Sequence, residues 1–300
     1  MSDSSDILFN QPVIVEACEE FVQRDMLGVR GSFAGVIQDA PMFSTAVVNG
    51  LSQQLIYQLQ LMMPDAFVSF DDLNVDLLDA AFPYVQSSAK QALQKAIQDR
   101  GQTMQVNSAY RTIAQQMLLY NDRFNNPNPV APPGASNHQT GLAIDIEDAT
   151  GWEVYWMRYG WNPLPGDPPH FDYQGDSTID LRSQSILGFQ QLWNQNHPDQ
   201  RITEDGGFGP QTEDALNRSP ARGFPKAPWD DKPRTLRLAI PRREGSDVLK
   251  LQESLKKAGI VVGADGEFKP ATDKAVKEFQ QKKGLKPDGI VGLKTREQMA

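Results

Sequence analysis

Two short stretches of this sequence hold the side chains best suited to chemistry. Ser136-Asn137-His138-Gln139-Thr140-Gly141-Leu142-Ala143-Ile144-Asp145 joins a histidine to a carboxylate through a glycine turn, and Asp167-Pro168-Pro169-His170-Phe171 supplies a second such pair. Neutral imidazole and carboxylate oxygen suit Zn²⁺, and a catalytic zinc takes three protein ligands and leaves its fourth position to water. His138, Asp145 and His170 are the expected ligands of one zinc ion, with Asp167 beside the open position. The chain has 3 histidines, and two of them fall in these stretches. The third, His197 in Asn196-His197-Pro198-Asp199, is expected to be structural.

The surrounding pattern explains how such residues would be held. Gln86 to Arg100 reads as a helix with Ala89, Leu93 and Ala96 on one face and Gly101 as its stop. Met104 to Ser108 alternates as a short strand, and Thr112 to Arg123 returns to helix. The proline- and asparagine-rich run from Asn125 to Gly134 is a loop that delivers the chain to His138. From Leu142 to Ile146 the alternation turns Ile144 and Ile146 to one face and Asp145 to the other. His170 to Tyr173 reads as a further strand, after a proline-rich turn carrying Asp167. The expected fold class is α+β: a small antiparallel-sheet zinc-site core with surrounding helices, plus a small all-α C-terminal repeat domain.

Composition sets the outer limits. A chain of 300 residues with 39% hydrophobic and 22% charged residues is long enough for two domains and a third small unit. The one cysteine, Cys18, excludes an internal disulfide framework and a thiolate zinc cage. Met1 to Asp6 lack the basic region and apolar core of a secretory signal, so export is expected through a holin, a secretion machine or an unrecognised route. Ala40 to Pro64 carries no charge, but Asn49, Gln53, Gln54, Gln58 and Gln60 make a buried or interfacial helix the expectation rather than a transmembrane one. Residues 232–300 hold 16 Lys and Arg against 9 Asp and Glu, whereas the rest holds 13 against 29. A basic tail on an acidic body favours an anionic polymer as the tail's partner. The tail lacks the pattern of a nucleic-acid reader, so no nucleic acid is expected.

An internal repeat runs through the C-terminal third. Gln190 precedes Asp205-Gly206 and Thr212, Gln252 precedes Asp265-Gly266 and Thr272, and Gln280 precedes Asp288-Gly289 and Thr295. Each copy reads as a helix, a tight Asp-Gly turn, an apolar plug and a Thr opening the next helix. The expected organisation is a helical region of unknown role at 1–75, a zinc-site domain at 76–180, and a divergent half repeat packed on it at 181–225. A linker at 226–243 and a compact repeat domain at 244–300 complete it.

Ser108-Ala109-Tyr110-Arg111 with Gln115, the Ser136–Asp145 motif and Asp167–Phe171 together resemble the zinc D-alanyl-D-alanine carboxypeptidase family, over about residues 75–180. That family includes DD-carboxypeptidases, DD-dipeptidases and phage L-alanyl-D-glutamate endolysins. The repeat at 244–300 resembles the small helical peptidoglycan-binding domain often fused to wall hydrolases. The resemblance implies zinc held by His138, Asp145 and His170, with Asp167 as general base, where many members carry the longer Glu. It also implies Arg111 as oxyanion stabiliser and Ser136, with Ser108, Tyr110 and Gln115, as the substrate-binding set. Glu147, Asp148 and Asp172 are expected to be solvated or to sit behind the ligands. The implied activity is hydrolysis of peptidoglycan stem peptides, at D-Ala-D-Ala or at L-Ala-D-Glu, by a housekeeping enzyme, an endolysin or an injected antibacterial effector in the periplasm or cell wall. Peptidoglycan is the implied partner, with anionic wall polymers a further candidate. The competing expectation is a non-catalytic wall-binding protein with a structural zinc.

Overall fold

The computed structural model describes residues 33–41, 44–126 and 129–299; Cys18 and residues 1–32 of the expected N-terminal helical region lie outside them. The uncharged stretch forms α1, Asn49–Met62. Leu51, Leu55, Ile56 and Leu59 bury one helical face, and the glutamines beside them satisfy backbone groups of distant segments. Gln53 Nε2 donates to the carbonyl of Arg242 (2.7 Å) and Gln54 Nε2 to that of Phe224 (2.9 Å). Polar atoms that would be costly in hydrocarbon are thus spent on buried peptide groups. Among the described residues no helix is long and apolar enough to cross a membrane.

Two short strands, β1 (Val68–Ser69) and β3 (Tyr84–Val85), pair as an antiparallel ribbon on either side of β2 (Val75–Leu77). β2 belongs instead to the main sheet, with β4 (Met104–Ser108), β5 (Ala143–Ile146), β6 (Trp161–Leu164) and β7 (Asp167–Tyr173). The order is β2-β4-β5-β7-β6, parallel only between β2 and β4. The expected boundary at 75/76 therefore falls inside a strand of this sheet. α2 (Ser87–Arg100) covers one face with Ala89, Ala92, Leu93, Ala96 and Ile97, and stops at Gly101 in the left-handed conformation (φ 67°). α3 (Ile113–Asn121) follows β4, and α4 (Ala149–Trp156) adds Trp152 and Trp156 to the core under Val106, Ile144, Ile146, Trp161 and Phe171. The opposite face of β5 carries Asp145, as the alternation predicts.

The sequence places Asp167 in a turn, whereas in the structure it opens β7. The turn sits earlier, at Pro165 and Gly166, and β6 and β7 form a hairpin. Pro168 and Pro169 cannot donate to the ladder. One step along β6, from Pro163 to Leu164, consequently spans four along β7, from Phe171 to Asp167. This bulge lets a proline-rich segment run within a strand.

The repeat occupies α5 (Arg182–Asn196) and α6 (Pro210–Asn217), then, after the short α7 (Pro228–Asp231), α8 (Ser246–Lys257), α9 (Pro270–Lys282) and α10 (Leu293–Glu297). In all three copies the glutamine amide shares its hydrogens among the Asp carboxylate, the carbonyl two residues on and the Thr hydroxyl. These distances are 2.9, 3.1 and 3.1 Å around Gln190, 2.9, 3.0 and 3.1 Å around Gln252, and 3.1, 3.0 and 3.2 Å around Gln280. The last two copies share a core that includes Val248, Leu251, Phe268, Val276, Phe279 and Val291.

Residues 226–243, read from their Pro and Arg content as a linker, are packed. Arg234 is 5% exposed, lies over the Trp229 ring, and forms a two-pronged pair with Asp247 (2.9 and 3.1 Å) while donating to Gln53 Oε1 (2.8 Å). Arg237 pairs with Asp71, and Arg243 Nη2 donates to Tyr84 Oη at 3.1 Å. Charged side chains that suggested solvent exposure tie the tail module to the sheet-bearing body.

Candidate metal centre

Strand pairing begins the site. β5 and β7 run antiparallel in a register that puts Asp145 opposite His170. On the other flank Ser108 pairs with Asp145 after a bulge at Asn107, which turns Ser108 toward the same centre. His138 arrives from a 3₁₀ turn, Asn137–Thr140, closed by Gly141 at φ 68°. Glycine takes that left-handed conformation without the usual steric cost. One ligand atom from each of His138, Asp145 and His170 lies within 4.8 Å of the others.

Hydrogen bonds at the back of each ring decide which nitrogen faces forward. His138 Nδ1 lies 2.8 Å from the carbonyl of Ala109, which only accepts, so Nδ1 carries the proton. Its Nε2 is left to face Asp145 Oδ2 at 3.3 Å. His170 is held the other way round, with Nε2 3.1 Å from Asp172 Oδ1 and Nδ1 2.9 Å from Asp145 Oδ1. Asn137 Nδ2 donates to both oxygens of Asp172 (3.1 and 3.0 Å), which fixes that carboxylate. This carboxylate–histidine arrangement orients metal ligands and raises their basicity.

The electrostatics follow the same geometry. Burial lowers the pKa of His138, against the pull of Asp145. Burial acts on His170 in the same sense but loses to its bonds with Asp145 and Asp172, which push it up to about 9. Burial alone would raise Asp145; His138, His170 and Arg111 outweigh it and hold the carboxyl well below the usual range. A permanently ionised carboxylate between two imidazoles is a good cation site.

Arg111 stands at its edge. Its Nη2 donates to Ser108 Oγ (3.2 Å) and lies 3.7 Å from Asp145 Oδ2, while Nη1 donates to Gln116 Oε1 (3.3 Å). Burial lowers its pKa, and the charges of Asp145 and Asp167 oppose this, so Asp167 is within electrostatic reach of the guanidinium. Ser136 is buried at the start of the 3₁₀ turn, two residues from His138.

Two expected substrate residues lie elsewhere. Tyr110 is buried with its ring edge-on to Phe67 (4.4 Å). Gln115 closes a capping box with Thr112 at the start of α3 and donates to the carbonyl of Ala80 (3.0 Å). Both are structural, because every polar group they offer points into the protein. His197 stacks on Trp193 at 3.8 Å, as a structural histidine would. Glu147 accepts from Asn107 Nδ2 (2.8 Å) and Asp148 pairs with Arg100. The roles of Asn137, Gln116 and the Ala109 carbonyl are not legible from residue type. For Asp172 the signal was present, since it shares a strand face with His170 two residues away.

Residues 84–156 match the family model of D-alanyl-D-alanine carboxypeptidase, and residues 244–299 match that of a putative peptidoglycan binding domain. Each match lies within a segment that the sequence reading singled out, 76–180 and 244–300. The carboxypeptidase match includes Arg111, Ser136, His138 and Asp145 and ends before Asp167 and His170, of which His170 meets Asp145 through the pairing of β5 with β7. Two curated relatives from Bacillus licheniformis are N-acetylmuramoyl-L-alanine amidase CwlL, 32% identical over 108 residues, and a probable N-acetylmuramoyl-L-alanine amidase, 34% identical over 106. These alignments cover 32% and 33% of this chain, and the chain spans only 30% of the length of either relative.

Proposed function

We propose that this chain is a zinc-dependent peptidase that hydrolyses peptidoglycan stem peptides, acting as a D-Ala-D-Ala carboxypeptidase or endopeptidase in the periplasm or cell wall. The observation that carries the reading is the His138–Asp145–His170 cluster, with the far nitrogen of each ring committed to an acceptor and Arg111 against its carboxylate. Two imidazoles with assigned tautomers and one ionised carboxylate fit a single Zn²⁺. Zinc bound there would polarise a peptide carbonyl and lower the pKa of a water towards about 7.

The chain's own groups supply the rest. Asp167 takes the proton of the attacking water and returns it to the departing amine as the C–N bond breaks and a C–O bond forms. Arg111 meets the negative charge that develops on the carbonyl oxygen. Ala109 and Asp172 keep the imidazoles from rotating. No acyl-enzyme is needed, so β-lactams should not trap the enzyme. On this reading residues 76–180 hold the peptidase and 244–300 the wall-binding module, and the basic balance of residues 232–300 suits peptidoglycan bearing anionic polymers.

Zinc-loaded protein and its Asp167→Ala variant, incubated with purified peptidoglycan, test this by mass spectrometry of the released fragments. Free D-alanine from the wild type alone is the expected result. New N-terminal D-Glu or isoGln ends would move the cut to L-Ala-D-Glu. Binding without any fragment would make the chain a wall-binding protein.

A further inference from the structure

The first repeat copy differs from the other two in one respect. Its Gln190 network is the same, but its plug residue has a different environment. Phe268 and Val291, the plugs of the second and third copies, are both 0% exposed because those copies pack on each other. Phe208, at the same place in the first copy, is half-buried. It lies instead against the loop that leads into the metal motif. A Cβ on Gly134 would come within 3.4 Å of Phe208 Cβ and 2.8 Å of Ile186 Cδ1, and Gly134 has φ +87°.

That loop is tied to the repeat at further points. Gln139 Oε1 accepts from the Gly134 N–H (2.7 Å), its amide reaches Ser185 Oγ (3.4 Å), and Arg182 Nη1 donates to the Ala135 carbonyl (3.4 Å). Between loop and repeat runs a groove of about 660 Å³, bounded by Tyr120, Pro133, Ala135, Arg182, Phe208 and Glu213. Its wall ends at Ala135, one residue from Ser136 and three from His138. That volume suits a ligand of a few rings.

We infer that this groove is a subsite for the glycan strand of peptidoglycan, built from the first repeat copy and the loop before the metal motif. The inference rests on the peptidase reading only for what is cut beside it. Two observations select the sugar over the stem peptide. Tyr120, Phe208 and the prolines offer flat apolar surfaces to the C–H faces of pyranose rings. The charged lining, Asp180 and Glu213 against Arg182, is net negative, which repels the carboxylates of a stem peptide and leaves a neutral N-acetylated sugar unopposed. The repeat would then serve the protein in two ways: as a paired module in the tail and as one wall of the substrate cleft.

Calorimetric titration of the full chain with an N-acetylglucosamine–N-acetylmuramic acid tetrasaccharide whose lactyl carboxyls are capped as simple amides, neutral as in the stem-linked strand, tests the subsite directly. Phe208→Ala and Tyr120→Ser should each weaken binding at least about tenfold or abolish one of two binding events, with melting temperatures showing that the variants are folded. Undiminished binding in both, or no binding by the wild type, overturns the inference. A kinetic arm compares a free stem peptide with the same peptide on its disaccharide. Phe208→Ala should raise KM about tenfold for the glycan-linked substrate, leave its kcat unchanged, and leave both constants unchanged for the free peptide. Equal effects on both substrates would make Phe208 a structural residue and overturn the subsite. If the wild type cut neither substrate, the peptidase reading would fall while the titration still decided the groove.

Discussion

Asp172 gives the most informative perturbation of the candidate metal centre, because it is not itself an expected ligand yet holds His170, which is, in place. Asp172→Ala removes the acceptor 3.1 Å from His170 Nε2 and leaves the Asn137 amide without its partner. Loss of such a partner typically lowers metal affinity about 10–100-fold, which is about 1.4–2.7 kcal/mol. Protons complicate the measurement in a way the structure makes calculable. In the metal-free site Asp145 and Asp172 hold His170 near a pKa of about 9, so the metal must displace a proton whenever the pH is lower. Wild-type zinc affinity should therefore climb about tenfold per unit between pH 6 and 8.5, with a proton penalty of about 100-fold at pH 7. The variant lacks one of the charges that raise His170 and pays a smaller penalty. Its deficit should be largest near pH 8.5 and shrink towards pH 6. Competition with a chromophoric chelator across this range reads both quantities. Equal affinities for the two proteins at pH 8.5, or a deficit that grows as the pH falls, would refute the assignment of Asp172.

Arg111→Met should keep zinc bound and lower kcat by about 10²–10³, as metal analysis beside steady-state kinetics would show. Arg234→Met leaves the Asp247 side chain without its partner in a site where both side chains are at most 10% exposed. It should cost about 3–5 kcal/mol in urea unfolding, and adding Asp247→Leu should recover most of that loss. Glu244 is raised to about 7 from its ordinary 4.5, first by burial and then by Glu267. Its folded pKa lies above its unfolded one, so its contribution is complete below pH 4.5 and is lost as the pH rises through about 7. The loss is at most about 3 kcal/mol, less the screening by water at a half-exposed residue. Glu244→Gln should flatten the unfolding free energy between pH 5 and 8; an unchanged slope counts against it.

The parts of the fold legible in the sequence are those where one local period decides the outcome. α2 follows from Ala89, Leu93 and Ala96 at helical spacing, and β5 from the alternation around Asp145. The clustering of His138, Asp145 and His170 was legible because imidazole and carboxylate at those spacings have few other uses. What escaped depends on partners far along the chain. Tyr110 sits beside Arg111 in sequence, but its ring belongs to the core with Phe67. Residues 226–243 look solvated until Gln53 and Asp247 are seen to meet Arg234. The proline run before His170 reads as a turn because local rules cannot anticipate that a neighbouring strand tolerates a bulge there.

On the proposed function, the packing of residues 226–243 has a bearing on where the chain acts. Tyr57 Oη donates to the Lys232 carbonyl (2.6 Å), Gln53 grips Arg242, and Arg234, Arg237 and Arg243 add their own bonds, so the tail is clamped to the sheet-bearing body rather than leashed to it. A leashed hydrolase sweeps a sphere around its anchor and cuts whatever it meets. A clamped one has a single vector from grip to cleft, and behaves as a caliper set to one spacing of the wall. On the proposed function, ordered peptidoglycan would be cut only at bonds that lie at that offset from a bound strand, whereas small soluble fragments would escape the restriction.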